Sequence, residues 1–131
     1  MTREQMDRLK RAIMSVELYD EQITLIEGRM TKVTQSISET GVRGGGASAD
    51  KFSVMIYACD VYRRQMEKCQ KEADSLMEIC EIWLNAMSDE MADTIRRVEL
   101  QGEPLSRVAE EKGIARTTLY DRIQRQYDKE T

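Results

Sequence analysis

Apolar residues recur in this chain at steps of three and four over two long stretches, and that spacing most narrows what it can fold into. In the first stretch Met6, Leu9, Ile13, Val16, Tyr19, Ile23, Ile26, Met30, Val33 and Ile37 follow the rule. In the second, Phe52, Met55, Cys59, Tyr62, Met66, Cys69, Ala73, Leu76, Cys80, Trp83 and Met87 alternate the two steps without a break. An α-helix turns once in about 3.6 residues, so these positions gather on one stripe. A stripe held over about five heptads is the a/d seam of a coiled coil. Two consecutive three-residue steps, Ile13 to Val16 to Tyr19, form a stammer that is expected to overwind the coil locally.

Between the stripes lies ETGVRGGGASAD, residues 39–50. Each glycine in a helix costs about 1 kcal/mol relative to alanine, so three in a row are expected to interrupt the helix. Asp50 or Ser48 is the expected N-cap of the second helix. The economical arrangement is an antiparallel hairpin over residues 1–87, with a flexible loop at about 40–50. Ile37 then lies near Phe52, and Met6 near Trp83 and Met87. The glycines do not make a phosphate-binding loop, because no Gly-Lys-Ser/Thr follows them and no strand precedes them. The residual possibility in this loop is that Arg43 touches a partner or a phosphate.

Composition excludes several functions. The 131 residues carry a net charge of −4, so contact with a polyanion has to come from a local patch. Histidine is absent, which removes the commonest metal ligand and the commonest general base at neutral pH. Cys59, Cys69 and Cys80 form no C-x-x-C pair and all fall on the second seam, where a thiol serves as a small buried hydrophobe. No nucleophile–base pair or metal cluster is apparent, so neither an enzyme nor a cofactor is expected. No apolar run approaches membrane-spanning length and none follows the N-terminus, so a cytoplasmic protein without a membrane partner is expected.

Around residues 76–87, LMEICEIWLNAM, the stripe widens as Met77, Ile79, Ile82 and Leu84 join it. A helix apolar on several faces needs more than one neighbour. The start of the first helix and the C-terminal unit are the natural candidates, and a self-association surface also fits.

From residue 88 the pattern changes, and residues 88–131 are expected to form a separate three-helix unit. Ser88, followed by Asp89 and Glu90, reads as an N-cap with acids that complement the helix dipole. The helix it opens runs to about Leu100 and buries Met91, Ile95 and Val98. QGEP stops it, and Pro104 suits the first turn of the next helix, which turns Leu105, Val108 and Ala109 inward. Gly113 follows Ala109 by four residues and can adopt the left-handed turn conformation, while Ile114 plugs the turn. The last helix, 115–126, turns Leu119 and Ile123 inward, with Tyr120 partly buried. This is helix-turn-helix spacing. Arg116, Thr117, Thr118, Asp121, Arg122 and Arg125 are then left on the outer side, where a helix lying in a major groove reads base edges. Ser106, Arg107 and Lys112 are placed to hold the phosphate backbone. The alternative is a solvated or protein-binding face, with Arg122 and Arg125 paired to Asp121 and Asp128.

The stretch GIARTTLYDRI resembles the recognition helix of region-4-like sigma-factor modules and of resolvase-type helix-turn-helix domains, with Ala115 where those have a serine cap. GGGASADKF and LQGEPLSRVAEEKGIARTTLYDRI together resemble a small prophage family of Gram-positive bacteria. Its members have a helical hairpin, a Ser/Gly-rich loop ending in Asp-Lys and a C-terminal sigma-region-4-like module. That resemblance implies a relation to phage late-gene transcriptional activators.

The expectation is an all-α, sequence-specific regulator that binds double-stranded DNA. A homo-oligomer is expected, a dimer before a larger ring, with RNA polymerase as a further candidate partner. The competing expectations are a small terminase-like DNA-packaging protein and a sigma-like module that contacts polymerase alone.

Overall fold

A computed structural model describes residues 1–40 and 46–129, with the side chains of residues 36–40 and 46–49 set aside. Helix α1 spans Arg3–Thr40, α2 Gly46–Asn85, α3 Asp89–Ile95, α4 Leu105–Lys112 and α5 Arg116–Gln124. A π-helical turn, Arg96–Leu100, continues α3. Among the described residues there is no strand, only an isolated bridge between Thr2 and Asp128. The fold is all-α, with α1 and α2 packed as a long hairpin ahead of the shorter helices. None of the described helices is long and apolar enough to cross a membrane.

The chain divides into two compact units, Ile13–Lys71 and Met1–Ala12 with Glu72–Thr131. In the first, Ile23 and Cys59 are buried on the facing stripes and the other described seam residues are half-buried. Two helices alone cannot close both flanks of a seam, so partial burial is what the geometry permits. Tyr19, at the end of the stammer, meets Tyr62 with ring centroids 5.8 Å apart. Arg63 reaches across to Glu27 at 2.6 Å; both are half-exposed, so this pair contributes at most about 1 kcal/mol.

One expectation fails here. Asp50 does not cap α2, because the helix begins at Gly46 and Asp50 lies a full turn inside it. Ala47 and Ala49 favour helix, and the first helical N–H groups need no intrahelical partner, so one glycine is tolerated at the start. The Ser48 side chain, the Ile37 contact and Arg43 lie outside the described residues.

The second unit has the denser core. Met6, Leu9, Cys80, Leu84, Ile95, Val108, Leu119 and Ile123 are essentially inaccessible. Each of the large aliphatic ones contributes about 1.5 to 3 kcal/mol by leaving water. Ser88 caps α3 by accepting a hydrogen bond from the Met91 amide at 3.3 Å. Gly102, at φ 70°, turns the chain after Leu100, and the Glu103 amide donates back to the Arg97 carbonyl at 2.9 Å. The widened stripe at the end of α2 is only partly covered: Leu76, Cys80 and Leu84 are buried, whereas Ile82 remains 74% exposed. Burial pushes the Cys80 thiol up, with the Glu81 charge adding to it.

Several polar and aromatic contacts tie this unit together. Glu99, four residues after Ile95 on the inward side of its helix, is buried and accepts from Arg3 at 2.6 Å and Lys10 at 2.9 Å. Burial opposes its charge, but the two cations outweigh burial and hold the carboxyl below its ordinary value. Tyr127 stacks on Trp83 with centroids 4.8 Å apart, and the Arg3 guanidinium sits 5.3 Å above the Tyr127 ring. The Trp83 indole N–H donates to the Gln126 carbonyl at 3.0 Å. The N-terminal ammonium of Met1 lies 2.6 Å from the Asp128 carboxylate.

Candidate nucleic-acid interface

The turn between α4 and α5 sets the geometry. Gly113 has φ 68°, in the left-handed region where a side chain is strained. Its amide donates to the Glu110 carbonyl at 3.1 Å, and the Ile114 amide donates to the Ala109 carbonyl at 3.1 Å. These two bonds are a Schellman closure, which satisfies carbonyls that the end of α4 would otherwise leave open. Ala109 is buried at the turn, and Val108, Leu119 and Ile123 are buried with it. The inner side of α5 is thereby fixed. No side chain caps its start, consistent with alanine at position 115.

With that side fixed, Arg116, Thr117, Thr118, Asp121 and Arg122 are exposed on α5, and Arg125 is exposed at its C-cap. Arg3, Arg8, Arg63, Arg64, Arg96, Arg97 and Arg107 each have an acidic partner. Arg116, Arg122 and Arg125 have no ion pair within 4 Å among the described residues. The alternative pairing of these arginines with Asp121 and Asp128 therefore does not form, and Asp128 is engaged by Met1 instead.

On α4, Ser106 and Arg107 are exposed, with the Arg107 guanidinium 3.9 Å from Glu111. Lys112 differs from the others: it is half-buried, with its ammonium 3.5 Å from the Glu90 carboxylate. Arg97 binds Glu103 at 2.8 Å and Glu111 at 2.5 Å, and its hydrogen bond to Glu103 holds that carboxyl below the usual carboxylate range. One acid just ahead of α4, Glu103, and one within it, Glu111, are thus already paired locally. Next to the α5 face is a cleft of about 150 Å³, lined among others by Ser88, Thr94, Lys112, Ile114 and Arg122.

Tyr120 is 53% exposed, which corrects the expectation that it is partly buried. It lies about 100° around the helix from buried Leu119, which takes it past the edge of the core. Its ring therefore adds an aromatic surface beside Thr117, and sequence reasoning left it out of the face. The signal was available, since helical projection alone separates it from Leu119 and Ile123.

A helix with this exposed side and a locked inner side can enter a major groove, whose width matches one helix. Arginine can pair two hydrogen bonds with guanine, threonine can meet a base or a thymine methyl, and Asp121 can accept from a cytosine amino group. Comparison with protein families, curated proteins and solved structures finds nothing that matches this chain.

Proposed function

We propose that this is a helix-turn-helix DNA-binding protein that reads the major groove with α5. More particularly, the sequence resemblance supports a phage-type transcriptional regulator acting in the cytoplasm, dimeric so that two small heads engage two half-sites. The observation that carries the reading is the set of three unpaired, exposed arginines on one helix of an acidic chain whose other arginines are largely paired. Arg116, Arg122 and Arg125 supply the charge, Thr117, Thr118 and Asp121 the base discrimination, and Ser106, Arg107 and Lys112 the backbone contacts. Lys112 exchanges Glu90 for a phosphate when DNA binds.

The test is selection of bound sites from a random duplex library at stated salt, followed by titration of the selected site. The proposal expects an enriched motif, and Arg122→Ala and Arg125→Ala proteins that keep their helical circular dichroism and lose preference for it. No enriched motif, or unchanged affinity for the motif in both variants, overturns it.

A further inference from the structure

We infer that the outer face of α2, opposite the hairpin seam, is the surface on which two copies of the chain pair, antiparallel and about a two-fold axis. Asp50, Val54, Tyr57, Val61, Arg64 and Lys68 follow one another at steps of four and three, a second seam on the far side of the helix from Cys59 and Tyr62. Val54 is 66% and Tyr57 68% exposed, and Val61 is half-buried. All six lie within the compact unit Ile13–Lys71.

The charges select the partner and its direction. The seam is acidic at one end and basic at the other. In the antiparallel register that places Tyr57 against the copy's Val61, Asp50 meets the copy's Lys68 at both ends. Arg64, paired with Asp60 on its own helix, lays its aliphatic stem over the copy's Val54. Neither Asp50 nor Lys68 has an ion-pair partner within 4 Å among the described residues. Parallel pairing would set Asp50 on Asp50 and Lys68 on Lys68, which repel. The outer face of α1 also exposes apolar residues, Met14, Leu18 and Leu25, but it is basic at both ends through Arg11, Arg29 and Lys32. Antiparallel self-pairing there opposes like charges. The outer faces of α1 and α2 lie on opposite sides of the hairpin, so setting the outer face of α1 on the outer face of the next copy's α2 is head-to-tail and does not close as a dimer. The seam runs about 27 Å at 1.5 Å per residue, short for a coiled coil, so the dimer is expected to dissociate on dilution in the micromolar range.

This inference rests on the dimeric form of the DNA-binding reading, and it is tested without DNA so that either can fail alone. Sedimentation of the full chain over concentrations up to about 100 µM measures the monomer–dimer constant. Val61→Asp and Tyr57→Asp are expected to be monomeric, and Leu18→Asp to dimerise as the native chain does. Asp50→Lys, an exposed change that leaves the fold alone, weakens pairing by about tenfold or more, and adding Lys68→Asp restores it to within about threefold. A native chain that stays monomeric throughout, or a Val61→Asp chain that still dimerises, overturns the inference. So does loss of the dimer in Leu18→Asp. Failure of the charge exchange to restore pairing overturns the register.

Discussion

Replacing Glu99 by glutamine removes one charge and leaves the shape of the side chain nearly intact. In the native protein that carboxylate is 7% exposed and accepts two charged hydrogen bonds, at 2.6 Å from Arg3 and 2.9 Å from Lys10. A hydrogen bond to a charged group contributes about 1.5 to 3 kcal/mol, and breaking a buried ion pair costs about 3 to 5. Both cations are 37% exposed, so water takes over part of their solvation once the partner charge is gone. The amide oxygen of glutamine also keeps one acceptor. The expected net loss is therefore about 2 kcal/mol, which lowers the melting temperature by roughly 10 °C for a unit of this size. Urea and thermal unfolding followed by circular dichroism at pH 7 measure it. Acid supplies a second, independent arm. The folded protein holds the Glu99 carboxyl below its ordinary value, so the unfolded chain binds a proton there more readily. The stabilisation is thus complete above the unfolded pKa of about 4.3 and fades as pH falls through the lower folded value. The gap between native protein and Glu99→Gln is expected to narrow below about pH 4. A gap under about 0.5 kcal/mol at pH 7, or one that keeps its full size at pH 2.5, refutes the account of Glu99 as a charge clamp.

Other substitutions probe the head and its tail. Gly113→Ala meets no atom within 4 Å, so only the positive φ resists it, and a loss of about 1 kcal/mol in urea unfolding is expected. Leu119→Ala, at a site 2% exposed, is expected to cost about 2 to 5 kcal/mol by the same measurement. Trp83 is the chain's single tryptophan, so its fluorescence reports on the tail. Tyr127→Leu removes the stacked ring, and a red shift of the emission is expected as water reaches the indole.

The long-period features of this chain were legible because each seam residue repeats the same information. An apolar position every three or four residues specifies the hairpin many times over, and the cysteines needed no separate rule once they fell on it. The helix-turn-helix was legible through Ala109, Gly113, Ile114, Leu119 and Ile123, whose spacing is local. The clamps were not. Glu99 stands between Val98 and Leu100 with nothing local to mark it, and its partners Arg3 and Lys10 lie 96 and 89 positions away. The Trp83–Tyr127 stack is likewise invisible to periodicity, since a single tyrosine near the end of a polar stretch carries no repeat. Lys112 was assigned a phosphate-contacting role from its helical position alone, and its pairing with Glu90 could come only from coordinates.

The unit that carries α5 is assembled from Met1–Ala12 and Glu72–Thr131, with the rest of α1 and α2 intervening along the chain. Met6 and Leu9 are made well before Ile95, Leu119 and Ile123, which complete the core that they join. Residues 13–71 need no such delay, because the facing stripes of their hairpin are complete once α2 has emerged that far. Synthesis therefore imposes an order, coil first and head last. Until that core is complete, apolar surface on the unfinished head is open to a chaperone or to aggregation with its neighbours.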